Sequence, residues 1–112
     1  MRDQRRFGRI SFREALGLES GLRDDFQGAI ARDLSGGGLR IRSERFLALG
    51  APVRVRLQLN DEILILGGEV VWVQKEPYGE YYQIGVKFED NSSNMFKRKR
   101  IIDFVDTEDM GS

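Results

Sequence analysis

Apolar and polar residues alternate along most of this chain with a period of two. Residues 53–59 read Val-Arg-Val-Arg-Leu-Gln-Leu without a slip, so Val53, Val55, Leu57 and Leu59 share one face of a strand and their polar neighbours the other. Residues 39–42 and 84–88 repeat the pattern, and residues 69–73 and 81–89 extend the set. Between these runs, Asn60-Asp61 predicts a hairpin turn and Glu76-Pro77-Tyr78-Gly79 a second turn. Gly67-Gly68 predicts a bulge or sharp bend that helps a sheet curl. Weaker strand candidates lie at residues 10–18 and 26–33, which makes about six strands. A helical pattern runs over residues 93–106, with Ser92 or Ser93 placed to cap its first turn. In it Met95, Ile102 and Val105 fall near one stripe with Ile101 and Phe104 beside it, while Lys97 to Arg100 read as a solvated face. Asp106, Glu108 and Asp109 oppose the helix dipole at the far end and predict fraying there.

Short antiparallel strands and one terminal helix predict a mainly β fold, a six-stranded antiparallel barrel with a C-terminal helix, because closure removes exposed sheet edges. The 112 residues suit a single folding unit. We divide it into a flexible N-terminal arm, residues 1–12, and a barrel with its helix, residues 13–110, with Gly111-Ser112 read as a cloning remnant. No apolar run is longer than that of residues 63–66, which is far too short to cross a bilayer. With no apolar leader and no cysteine, the expected location is the cytoplasm, without membrane insertion.

Eighteen basic and eighteen acidic residues cancel, but they are not evenly spread. Residues 1–13 hold five Arg against one Asp, and all twelve basic residues before Lys75 are Arg. Arginine is favoured where forked hydrogen bonding or stacking is needed, although a base-composition bias in the gene gives the same skew. Catalysis finds little support. The chain has no His and no Cys, which removes the imidazole base, the thiolate and the usual zinc ligands, and Ser35 has no base beside it in the sequence. Gly36, Gly37 and Gly38 are not followed by Gly-Lys-Ser/Thr and so are not a nucleotide-hydrolysing loop. The expectation is a binding protein and not an enzyme, with no cofactor and no metal.

Two motifs carry candidate binding chemistry. Arg5 and Arg9 are four apart, roughly 13 Å in an extended chain and about 6 Å in a helix, on the order of the spacing of groups within one dinucleotide. Their planar forks suit phosphate or the O6/N7 edge of guanine. Asp33-Leu34-Ser35-Gly36-Gly37-Gly38 supplies a carboxylate that accepts N–H donors, a hydroxyl, and a main chain that a ligand can approach closely. Taken alone, the same residues also fit a local turn, with Asp or Ser bonding the backbone and the glycines at positive φ. Trp72 is either a stacking platform or a partly buried barrel residue.

With Arg5 and Arg9 ahead of Asp33, Ser35 and Gly38, the chain resembles the PilZ domains, bacterial receptors for the second messenger cyclic di-GMP, over nearly its whole length. Their signatures, Arg-x-x-x-Arg and Asp/Asn-x-Ser-x-x-Gly, are both complete here. Residues 50–53, 68–73 and 84–88 also look like that family's barrel strands. The resemblance implies cyclic di-GMP as ligand. The Arg pair would grip phosphate and guanine from a mobile arm, and Asp33 and Ser35 would bond guanine on the barrel. It further implies that Gln4, just before the first Arg, influences whether one ligand or a stacked pair binds. Arg6, Gly36, Gly37 and Trp72 are secondary candidates. Ordering of the arm would relay the signal to an unidentified downstream protein in motility or biofilm control. Two other readings are a ligand-independent interaction module and a small barrel that binds RNA or single-stranded DNA, the latter disfavoured by the zero net charge.

Overall fold

The computed structural model describes residues 9–11, 15–20 and 27–111, with side chains from residue 30 to residue 107. The order of elements is β1 (Arg9–Ser11), β2 (Ala15–Ser20), β3 (Gln27–Ser35), β4 (Gly38–Ser43), β5 (Pro52–Leu59), β6 (Glu62–Lys75), β7 (Tyr82–Phe88) and α1 (Ser92–Gly111). All strand pairs are antiparallel, and β3 pairs with β4 as well as with β1 and β2, so the sheet closes on itself. Seven strand segments are described where the alternation predicts about six. The difference lies in the first weak candidate, which is split: β1 and β2 follow each other along one edge of β3, opposite Asp33–Ser35 and Gln27–Ile30 in turn. Among the described residues Arg9–Ser11 is already strand, inside the span assigned to the arm. Residues 1–8 of that arm lie outside the described residues.

The interior follows from the alternation. Val53, Val55, Leu57 and Leu59 point inward, and β5 reads exposed, buried, exposed, buried along its length. Ile63–Leu66 looks continuous in sequence but divides in the same way, Leu64 and Leu66 buried, Ile63 and Ile65 outward. The β5–β6 hairpin turns at Asn60-Asp61 as expected, with Asn60 at φ 58°, a left-handed conformation that Asn tolerates.

Three expectations need correction. Gly67-Gly68 forms no bulge: both residues stay in register with Arg54 and Val53. A Cβ at Gly68 would stand 2.8 Å from Val86 Cγ1 and 2.9 Å from the Lys87 carbonyl oxygen, so the position is small because β7 crosses it closely. The helix buries Asn94, Ile101 and Val105, leaving Met95 exposed and Ile102 half-buried. A polar residue heads the buried stripe because it completes the backbone of β6: Asn94 Nδ2 donates to the carbonyls of Gly67 and Glu89 at 2.9 Å each, and its Oδ1 accepts from Gly67 N–H at 3.4 Å. The helix also runs on to Gly111, past the acidic end where fraying was expected.

Nor is Lys97 to Arg100 a plain solvated face. Lys97 Nζ donates to the Ile65 carbonyl at 2.7 Å, Arg100 pairs with Glu62, and Arg98 bonds Asp90 at 3.0 Å and the carbonyl of Gly36 at 3.1 Å. The basic run rivets α1 to the barrel.

On the outer wall Arg42 grips Glu76 with both prongs, Nε to Oε2 at 2.8 Å and an amino group to Oε1 at 3.0 Å, and lies 3.8 Å from the centre of the Tyr81 ring. The bond to Arg42 holds the Glu76 carboxyl below its ordinary pKa, and the same bond raises that of Arg42. A depressed carboxyl pKa contributes stability that is complete above the unfolded value near about 4.3 and lost as pH falls through the folded value. Glu76→Gln should therefore destabilise the protein at neutral pH, with the deficit shrinking in urea titrations run below about pH 4. Leu57→Ala, at a fully buried position on β5, should cost about 2 to 5 kcal/mol in the same assay.

Candidate functional site

The Asp33–Gly38 motif lies at the end of β3, the turn Gly36-Gly37 and the start of β4. β3 carries one extra residue here: Ala31 pairs with Ile41 but Asp33 with Arg40, leaving Arg32 as a bulge. Strict alternation from buried Ala31 would send Asp33 inward. The bulge instead turns Asp33 and Ser35 to the outer side and drops Leu34 into the core. β6 does the same at Val71, where Val70 pairs with Val86 but Trp72 with Gly85. Val70 is buried, and the next two residues both face outward, leaving Trp72 40% exposed.

The two bulges bring the chemistry into line. One outer row across the sheet runs Ser11, Asp33, Arg40, Gly85, Trp72, and the next runs Arg9, Ser35, Gly38, Lys87, Glu69. The second arginine of the first motif thus stands opposite the serine of the second. Arg9 is described here by its place in the strand, and Gln4, Arg5 and Arg6 lie outside the described residues.

The turn itself is held on several sides. Ser35 Oγ accepts from Gly37 N–H at 3.3 Å and donates to the Gly38 carbonyl at 3.4 Å. The Gly37 carbonyl accepts from Phe88 N–H at 2.9 Å, and that of Gly36 from Arg98. The local serine bond of the turn reading is present, but its positive-φ glycines are not: among the described residues such glycines are Gly50 and Gly79. Gly38 is needed for space, because a Cβ there would run into the Val86 carbonyl oxygen.

Beside this turn lies an open groove of about 660 Å³ lined by Ser35, Gly37, Gly38, Arg40, Trp72 and Lys87, among others. Gly85 forms part of its floor, and a Cβ at that position would strike the Trp72 indole, so the glycine seats the ring. Asp33 is largely enclosed and pairs with Arg40 at 2.9 Å. The groove offers a flat aromatic surface and two cations, with the Asp33 carboxylate just behind Arg40, which suits a purine that carries phosphate. A second hollow of about 470 Å³, between β5, β6 and the start of α1, has Glu89 in its wall and a lysine already bonded to backbone, and fits an anion less well.

Sequence reasoning singled out Ser35, Gly37, Gly38 and Trp72 for this groove and missed Arg40, Lys87, Gly85 and Arg98. Arg40 was within reach, since two residues past Gly38 on an alternating strand it must face outward with it. A lone glycine inside a strand likewise signals a close approach. Among the described residues no group of His, Cys, Asp or Glu is arranged to hold a metal, and no helix is long and apolar enough to cross a membrane.

A closed β-barrel with a turn-and-groove site on its outer wall and a terminal helix across one side defines a ligand-binding domain. The chain belongs to the PilZ domain family, whose model matches residues 3–107. No curated protein sequence matches it. Among solved structures it is similar to the Bacillus subtilis inhibitor of motility MotI/DgrA, at 11% identity and TM-score 0.75 over 96% of this chain and 52% of that one. It thus spans about half of that protein. It also resembles the PilZ domain of CeSA from a cellulose-synthesising bacterium, at 22% identity and TM-score 0.66 over 88% and 97% of the two chains. The third is the PilZ domain of Escherichia coli YcgR with c-di-GMP, at 16% identity and TM-score 0.69 over 95% and 94%. PilZ domains are ligand-binding and not enzymatic.

Gly38→Ala should lower stability by about 1 to 3 kcal/mol through overpacking. Gly37→Ala, whose Cβ would meet nothing nearer than Ser35 Oγ at 4.0 Å, should unfold at nearly the wild-type temperature. Thermal melts of the pair check this.

Proposed function

We propose that this protein is a cytoplasmic receptor for cyclic di-GMP, which it binds across the two outer rows that join Arg9 to Ser35 and Asp33 to Arg40. The observation that carries the reading is that register: the two signature motifs, 24 residues apart in sequence from Arg9 to Asp33, meet on adjacent positions of one ladder. The PilZ domain of YcgR, solved with c-di-GMP, has the same fold.

In this reading Arg5 and Arg9 hold phosphate and guanine, with Arg6 and Gln4 beside them. Asp33 accepts from the guanine N–H edge, and Ser35, Gly36, Gly37 and Gly38 present the backbone of the turn. Trp72 stacks on a base. Binding orders the arm over the groove and changes the surface offered to a downstream protein, with motility or biofilm control as the output. DNA is not a partner.

Titration calorimetry with cyclic di-GMP tests the site. Arg9→Ala should weaken binding by roughly 1 to 3 kcal/mol, and Asp33→Ala should erode the preference for cyclic di-GMP over cyclic di-AMP. Wild-type affinity in both variants would reject the site, and no heat with the wild type would favour a ligand-independent interaction module.

A further inference from the structure

Two arginines alternate on the outer face of β4, and their surroundings differ. Arg42 is fully engaged: both prongs rest on Glu76, and its plane stacks near Tyr81. Arg40, one outward position earlier, reaches Asp33 with one terminal nitrogen at 2.9 Å, while its Nε is enclosed without a hydrogen-bond partner among the described residues. Its side chain remains 43% exposed and lines the groove. A buried donor left unmatched disfavours the conformation that holds it. Arg42 is settled, and Arg40 is not.

We propose that Arg40 is a placeholder for the ligand: in the empty groove its guanidinium occupies the Asp33 carboxylate, and on binding it yields that carboxylate to the guanine N–H edge and transfers to a ligand phosphate. This inference rests on the cyclic di-GMP reading above. An ionised carboxylate only accepts hydrogen bonds, so the terminal N–H of Arg40 and the N–H edge of guanine are equivalent to it. The exchange replaces one donor to Asp33 by another, so the contact that Arg40 gives up is remade by the base. It also moves a permanent positive charge toward the two negative phosphates, where a forked donor bonds well. An adenine presents an acceptor where guanine presents N1–H and cannot release Arg40, so the exchange contributes to base selectivity.

The test is calorimetry with cyclic di-GMP on the wild type, Arg40→Gln and Arg40→Lys at low and high salt, with melting temperatures taken on the ligand-free proteins. Loss of a charge-assisted phosphate contact should weaken Arg40→Gln by about tenfold or more and flatten its salt dependence relative to the wild type. Arg40→Lys, which keeps the charge, should recover the salt dependence and part of the affinity. Melting temperatures should stay close together, since the residue is half exposed. Tighter binding by Arg40→Gln would make Arg40 a mere competitor and overturn the transfer. Unchanged affinity, or weaker binding with the wild-type salt dependence, would overturn it too. If the wild type binds and one of these outcomes is seen, the receptor reading stands without the placeholder. If the wild type gives no heat, both fall.

Discussion

Side chains on a strand must alternate between faces, and a single extra residue reverses every assignment beyond it. Among the described residues that rule is broken twice, at Arg32 on β3 and at Val71 on β6, and the two breaks flank the same outer row. Without them Asp33 and Trp72 would point into a core built from Leu34, Ile41, Val70 and Ile84. With them the core keeps its apolar residues, and the acid and the indole face each other across Arg40 and Gly85. Packing and site are thus solved by the same local defects, and the rest of the groove follows from register.

The turn at Gly36-Gly37 depends on elements remote in sequence. Its carbonyls are taken by Arg98 from α1 and by the Phe88 N–H at the end of β7, while Ser35 closes it from within. Tying a loop down on several sides lowers the ordering cost of any contact it goes on to make. The helix therefore does more than cover one side of the barrel. Its basic run, with Asn94, ties α1 to β6 and to the motif turn together.

Much of this was legible in the chain. The alternation of residues 53–59 specified the inward face of β5, and Asn60-Asp61 specified its hairpin. Family resemblance grouped Asp33, Ser35 and Gly38 with Arg9 as ligand contacts, and the ladder sets Arg9 opposite Ser35 as a strand position. What alternation cannot show is where it will be interrupted. The glycine pair at 67 and 68 looked like the natural break, whereas Val71, an ordinary strand former, is the bulged residue. Asn94 was hidden for a related reason, since hydropathy assigns an asparagine to solvent and says nothing of a backbone that needs a donor and an acceptor inside. The ion pair of Arg40 and the hydrogen bond of Arg98 to the Gly36 carbonyl depend on partners 7 and 62 residues away, a distance in sequence that no local pattern encodes for the second.

The pairing of β4 with β7 has a bearing on how the molecule comes into being. Gly38 and Lys87 sit side by side although 49 residues separate them, whereas the β3–β4 and β5–β6 hairpins close over a few residues. Loop-closure entropy makes such distant seams slow to form relative to hairpins. The trough beneath the indole therefore exists only once the late, long-range seam has zipped, and a half-made chain emerging from synthesis has no such surface to offer until the last strand is home.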